Sequence, residues 1–214
     1  MLKYEFIDSF IFGEGEENFV ELLRNIQTSQ PTELFYQKRR VETLDFPSPY
    51  TSGIFDNIIK ENPHVVWAMT LETNRGCPYA CTFCDWGSLT YNKVKKFDIQ
   101  RVYDEIEWVG KNGLDFISFT DANFGIFAER DNDIVDAIVA NAKRTGYPKI
   151  YNMTWAKNKK EDVVALARKW IDAGVNSPGF TCSVQSLDDT VLDNIKRQNM
   201  DMNKIESMFE LCER

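Results

Sequence analysis

From residue 65 onward, short apolar segments alternate with longer amphipathic ones, and this alternation restricts the fold more than any other feature. Strand candidates fall at residues 65–71, 115–120, 149–154 and 179–184. Between the first two, apolar residues recur at helical spacing: Ile99, Val102, Tyr103, Ile106 and Val109. Such alternation predicts an α/β fold of parallel βα units, in a barrel or in an open doubly wound sheet.

The least ordinary residues of the chain follow the predicted strands. Three cysteines follow the first strand, Asp121 and Asn123 the second, Trp155 the third and Gln185 the fourth. In both architectures, the loops after parallel strands line the functional face. These four strand ends therefore predict one shared site, although Trp155 suits core packing equally well.

The first 64 residues differ in pattern from the rest. We expect a strand over residues 4–12 and a helix over 17–26. Residues 28–62 contain Pro31, Pro47 and Pro49, which favour an extended connector with a short helix near 54–60. The predicted organisation is a first segment at 1–27, a connector at 28–64 and the main domain at 65–214.

Composition excludes several classes of function. A 43% hydrophobic fraction indicates a folded chain, and a net charge of −8 argues against a nucleic-acid partner. The single histidine, His64, argues against a Ser-His-Asp triad and excludes a multi-histidine metal site. No apolar run approaches the ~18 residues of a membrane span, so we expect no membrane association and a cytoplasmic location.

Cysteine spacing gives the chemical prediction. Cys77, Cys81 and Cys84 form a CxxxCxxC motif, whereas Cys182 and Cys212 lie far along the chain. Clustered thiols in a reducing compartment indicate a metal or redox site. Three thiolates suit a cubane iron–sulfur cluster that keeps one iron open to another ligand. Zinc is the alternative, but it requires a fourth ligand, for which Cys182, in an apolar strand, is poorly suited.

These residues resemble the signature of the radical S-adenosylmethionine (SAM) superfamily, CxxxCx-aromatic-C, with Phe83 as the aromatic residue. The resemblance covers residues 65–214 and implies a partial TIM-like barrel with about four βα units. It implies that Cys77, Cys81 and Cys84 bind a 4Fe-4S cluster whose open iron is chelated by SAM. It further implies an enzyme, with Phe83 against the adenine, that reductively cleaves SAM to a 5′-deoxyadenosyl radical. The electron would come from a reductant such as flavodoxin or ferredoxin.

Further SAM contacts follow from the same resemblance. The family's glycine-rich motif after the second strand is replaced by Asp121 and Asn123, which we expect to bind the SAM ammonium group, Asp121 foremost. Ser183, Gln185 and Arg197 match the family region that reaches the ribose or the methionine carboxylate. No side chain is assigned a catalytic role.

The N-terminal segment resembles cobalamin-binding radical SAM proteins. Residues 10–16, Pro47-Ser48-Pro49-Tyr50 and Cys84-Asp85-Trp86-Gly87 carry this likeness. It implies that residues 1–27 are a remnant of a Rossmann-like domain and that the chain is truncated at both ends. The cobalamin motif DxHxxG is absent, so cobalamin would require a domain outside this chain. We expect poor SAM cleavage unless a complementary chain completes the barrel.

Several functions remain open at this stage. One is a cobalamin-lineage methyltransferase, and another is a methylthiotransferase or tRNA-modifying enzyme, against which the acidic charge counts. A third is an iron–sulfur binding module without SAM turnover. The substrate, a small molecule, has no signature in these residues.

Overall fold

The computed structural model describes residues 6–37, 43–84, 93–156, 160–177, 183–199 and 201–213. The chain divides into two compact units, Met1–Thr43 and Leu44–Arg214. This division differs from the predicted one, in which residues 28–64 form a connector. No helix in the described ranges is both long enough and apolar enough to cross a membrane.

The first unit is a βαβ arrangement. Strand β1 (Phe10–Ile11) leads into helix α1 (Gly15–Gln27), and strand β2 (Phe35–Tyr36) returns parallel to β1. The Asn18 amide donates to the backbone oxygens of Phe12 and Glu14, which fastens the start of the helix to the end of the strand. Because β2 pairs with β1, residues 35–36 belong to this unit and not to a connector.

The second unit contains the remaining elements. In chain order they are α2 (Asp56–Glu61), β3 (Ala68–Leu71), β4 (Asn74–Arg75), β5 (Lys95–Lys96), α3 (Ile99–Asn112), β6 (Phe116–Phe119), α4 (Ala128–Thr145), β7 (Ile150–Asn152), α5 (Lys160–Asp172), α6 (Asp189–Asn194) and α7 (Met202–Glu213). Strands β3, β6 and β7 form one parallel sheet in that order. The predicted parallel α/β arrangement is therefore confirmed for the first three strands, each shorter than expected.

A fourth chain segment extends this sheet at β7. The Tyr151 amide donates to the Asn176 oxygen at 2.9 Å, and the Asn176 amide donates to the Lys149 oxygen at 2.8 Å. This parallel bridge lies before the predicted strand at 179–184, of which residues 179–182 are outside the described ranges. Each successive segment is added at the same edge of this parallel sheet.

The core is an aromatic cluster between the sheet and α5. Trp170 is fully buried at its centre, with ring centroids 4.1 Å from Tyr151, 5.8 Å from Phe119 and 5.9 Å from Phe124. Trp155 packs on the same cluster at 6.0 Å from Trp170, so it is a core residue. This packing fixes the ends of β6 and β7, from which the site loops leave.

Gly125 allows the loop after β6 to approach α5 closely. Its φ is +93°, and a Cβ built there would lie 2.6 Å from Val163 Cγ1. Replacement by any other residue therefore combines an unfavourable backbone conformation with a steric clash.

We predict that Gly125→Ala destabilises the chain by about 3 kcal/mol, since backbone strain costs ~1–2 and overpacking ~1–3 kcal/mol. Gly146→Ala is the matched control because its φ is +81° and nothing lies within 4 Å of its Cβ position. It should cost only about 1 kcal/mol. Urea unfolding followed by circular dichroism measures both, and equal losses would contradict the close approach.

Candidate cluster site

The cysteine loop is closed at its base by a short antiparallel pair. Strand β4 pairs with β5, with Asn74 opposite Lys96 and Arg75 opposite Lys95. The Phe97 amide donates to the Thr73 oxygen at 3.0 Å, which extends the closure by one residue. Cys77, Cys81 and Cys84 all lie between the two strands, so the pair restrains the loop that carries them.

Asp121 binds the base of this loop from the end of the neighbouring strand. Its Oδ1 accepts from the backbone N–H groups of Thr73 at 2.7 Å and Asn74 at 3.1 Å. Its Oδ2 accepts from the side-chain amide of Asn74 at 2.9 Å and from the Thr73 hydroxyl. Asp121 is 1% exposed, and each oxygen already has two donors from its own chain. The predicted contact of Asp121 with the SAM ammonium group stays a prediction.

Two charged residues at the start of α4 complete the framework. Arg130 Nη2 donates at 3.0 Å to the Thr73 oxygen and at 3.0 Å to the Phe97 oxygen. Asp131, fully buried, accepts from the backbone N–H groups of Gly125 at 2.8 Å and Phe127 at 3.1 Å. The helix thus holds both the cysteine loop and the loop that carries Asn123.

Burial governs the protonation of Asp121. Loss of solvent raises the pKa of this carboxyl from 3.8 to about 7, against the opposing effect of the hydrogen bonds from Thr73 and Asn74. Burial likewise raises the pKa of Asp131, although the Phe127 and Gly125 N–H groups favour its charged form. Both carboxyl groups are therefore part of a buried polar framework.

The three motif thiols are free, and two of them are buried. Cys77 and Cys81 are each 8% exposed, and Cys84 is half-buried. Within the described ranges, no group of three or more His, Cys, Asp or Glu side chains converges tightly enough to hold one metal ion. In a cubane cluster each thiolate binds a different iron, so its ligands do not share a single point.

Asn123 contacts the first thiol. Its Nδ2 lies 3.2 Å from Cys77 Sγ, and the residue is 3% exposed. Its Oδ1 is buried and has no hydrogen-bond partner among the described residues. A buried acceptor left unpaired costs ~1–3 kcal/mol, so this oxygen is suited to a donor that is brought by a ligand.

Arg197 contacts the second thiol. It follows α6 and is 6% exposed, with Nη1 3.8 Å from Cys81 Sγ and Nη2 3.4 Å from the Ser183 oxygen. The Thr82 amide donates to the Ile195 oxygen at 3.0 Å and so joins the cysteine loop to the chain around Arg197. Cys77 and Cys81 thus each face a nitrogen donor from another loop, an arrangement that fits an anionic iron–sulfur cluster.

The structure brings together some of the predicted site residues and not others. Asn123 meets Cys77, and Arg197 meets Cys81, with the Ser183 backbone beside it. Phe83 is 56% exposed, and Gln185 is also exposed. The predicted contacts of these two side chains with SAM stay predictions.

Sequence reasoning missed the framework residues Thr73, Arg130 and Asp131. Thr73 stands beside the cysteine motif, but nothing in its type signals a bond to a carboxylate 48 residues away. Arg130 and Asp131 have the sequence pattern of an ordinary first helical turn. Their burial is visible only after the helix is placed against the two loops.

These observations define a class: a parallel α/β protein with three thiols on the loop after one strand and polar donors from other loops turned toward them. The chain belongs to the Radical SAM superfamily, whose family model matches residues 71–213. This is an enzyme family that uses a 4Fe-4S cluster and SAM.

Two curated proteins resemble the chain over nearly its whole length. The cobalamin-dependent radical SAM methyltransferase TokK of Streptomyces tokunonensis is 36% identical over 94% of this chain and 32% of its own length. The 2-(S-pantetheinyl)-carbapenam-3-carboxylate methyltransferase of Streptantibioticus cattleyicolor is 36% identical over 92% of this chain and 31% of its own length. The chain thus spans about a third of the curated relatives it matches.

A solved structure supports the fold. The radical SAM methyltransferase TsrM of Kitasatospora setae, determined with tryptophan and a SAM analogue, has a TM-score of 0.62 and 15% identity. The similarity covers 95% of this chain and 43% of TsrM. At that identity the likeness extends to the fold alone.

Asp121 predicts a specific pH dependence of stability. Because its folded pKa of about 7 lies above the ordinary aspartate value of 3.8, the folded state binds a proton that the unfolded state releases between these values. The contribution of Asp121 to the free energy of unfolding is fully present below pH ~4. It is lost as the pH rises through about 7, by up to ~1.4 kcal/mol per pH unit.

Asp121→Asn should make the dependence of stability on pH shallower by removing the contribution of Asp121, while that of Asp131 remains. The matched control Asp136→Asn, on the exposed face of α4, should retain the wild-type slope. Urea unfolding of the three proteins between pH 5 and pH 8 makes the comparison. Equal slopes in wild type and Asp121→Asn would contradict the raised pKa.

Proposed function

We propose that the chain binds a 4Fe-4S cluster through Cys77, Cys81 and Cys84 and presents SAM to it for reductive cleavage. The main observation in support is that Cys77 and Cys81, both buried, each lie beside a nitrogen donor from another loop. Donors around thiols stabilise thiolates and suit bound clusters better than neutral, unliganded cysteines. The family match over residues 71–213 supports the same assignment.

The cluster, when bound, supplies the electron for cleavage of the SAM sulfonium bond. The residues of this chain hold it and restrict solvent. Burial of Cys77 and Cys81 keeps water away from two of the three thiolates, and Asp121 with Arg130 restrains the base of their loop. The protein thus contributes position and environment to the reaction.

We assign the SAM ammonium group to Asn123 in preference to Asp121. Asn123 Oδ1 is buried and unpaired within the described ranges, whereas both oxygens of Asp121 are occupied by Thr73 and Asn74. An ammonium group has three donors and no acceptor, so it complements a free carbonyl oxygen. Asp121 is then a positioning residue for the cysteine loop.

The family resemblance supports three further SAM contacts in this proposal. Phe83, an exposed residue, is assigned to the adenine, and Ser183 with Gln185 to the ribose or the methionine carboxylate. The guanidinium of Arg197 is already directed at Cys81, which weakens its assignment to the SAM carboxylate.

We further propose that the whole protein transfers a methyl group and uses cobalamin supplied by a domain outside this chain. The names of its two curated relatives, both methyltransferases at 36% identity, support this class over the tRNA-modifying alternative. We retain a flavodoxin or ferredoxin as the proposed electron donor.

The test is anaerobic reconstitution of the chain, followed by iron analysis and a 5′-deoxyadenosine assay with dithionite. Wild type should bind about four irons, because that is the content of a cubane cluster, and should form 5′-deoxyadenosine slowly. Cys77→Ala should lose most of the iron and all of the product, whereas Cys212→Ala, outside the motif, should keep both.

Unchanged iron content and visible absorbance in Cys77→Ala would contradict the cluster assignment. A wild-type chain that holds its iron but forms no 5′-deoxyadenosine would favour the alternative of an iron–sulfur module without SAM turnover.

A further inference from the structure

We propose that Asn123 and Arg197 are positioning residues that set the reduction potential of the cluster by donating hydrogen bonds to the Cys77 and Cys81 sulfurs. The inference rests on the proposed function, because it requires the cluster at these thiols. It concerns two donors that approach from different parts of the fold, one after β6 and one after α6.

The Asn123 amide is suited to this role by its geometry and its burial. Its Nδ2 lies 3.2 Å from Cys77 Sγ, and only 3% of the residue is exposed. A metal-bound thiolate can only accept a hydrogen bond, so it is complementary to the amide nitrogen and not to the amide oxygen. In a site shielded from water, such a bond is stronger than it would be at the surface.

The Arg197 guanidinium adds a full positive charge. It forms no ion pair with a carboxylate in the described part of the chain, although Asp189, Asp193 and Asp201 line the same cavity of about 580 Å³. Its Nε is buried and has no partner there. A buried cation requires a compensating anion, and the Cys81 sulfur at 3.8 Å supplies one when it binds iron as a thiolate.

The direction of the effect follows from charge. Reduction adds one negative charge to the cluster, and donors beside its thiolates stabilise the more negative state. Both residues therefore raise the reduction potential and make the electron easier to load. Removing either donor should lower the potential without removing an iron ligand.

The experiment is a dye-mediated redox titration of the reconstituted chain without SAM, followed by electron paramagnetic resonance. Asn123→Leu removes the donor at similar volume, and Arg197→Gln removes the charge. Each should lower the ratio of reduced to oxidised cluster about tenfold at a fixed ambient potential, which is 59 mV for a one-electron couple. Arg197→Lys, which keeps the charge, should recover part of the loss.

The matched control is Asn141→Leu. Asn141 is also a buried asparagine, 4% exposed, but its amide donates to the backbone oxygen of Ile106 between α3 and α4. This variant should destabilise the fold and leave the potential of the cluster unchanged. The potential thus separates a role at the sulfur from a general effect of losing a buried amide.

Wild-type potentials in Asn123→Leu and in both Arg197 variants, at full iron content, would overturn the inference. A loss of SAM affinity with no change in potential would also overturn it and would return Arg197 to the SAM carboxylate. If Arg197→Gln does not retain iron, Arg197→Lys and Asn123→Leu decide the matter. Failure of the wild-type chain to bind iron would instead refute the proposed function itself.

Discussion

The site depends on one buried carboxyl group. Asp121 stands at the end of β6 and accepts four hydrogen bonds from Thr73 and Asn74, the residues that lead from β3 into the cysteine loop. Adjacent parallel strands place their carboxyl ends side by side, but only a bond of this kind fixes the path of the loops beyond them. The position of Asn123, two residues later, and hence its contact with Cys77, follow from this attachment.

Burying several charged and polar side chains together costs free energy. The hydrogen-bond partners of these side chains explain why they are buried nonetheless. Arg130 spans the base of the cysteine loop, while Asp131 holds the neighbouring loop through two backbone N–H groups. Their neighbours are nearly all backbone groups that would otherwise be buried without partners. Two of the buried polar atoms left unpaired among the described residues, Asn123 Oδ1 and Arg197 Nε, belong to the side chains that contact Cys77 and Cys81. We attribute the unpaired state of these two atoms to the needs of a bound cluster and its ligand.

The sequence predicted those parts of the structure that depend on local pattern. Alternating apolar segments predicted the parallel pairing of β3, β6 and β7, and Cys77, Cys81 and Cys84 lie after β3, as expected. Pairing over long distances was not visible: residues 35–36 were placed in a connector but form β2 with β1, and the fourth sheet segment begins at Asn176. The bonds of Asp121 to Thr73 and Asn74 were not visible either, because a carboxylate that follows a strand looks the same in sequence whether it faces a ligand or a neighbouring backbone.

In the proposed site, three thiols of this chain hold a four-iron cluster and leave one iron for SAM. This arrangement can be tested by Mössbauer spectroscopy of the chain reconstituted with 57Fe, recorded before and after addition of SAM. We expect a cubane spectrum in which the isomer shift of one iron in four changes when SAM binds. Four irons that stay indistinguishable in the presence of SAM, or a spectrum of isolated iron, would contradict it.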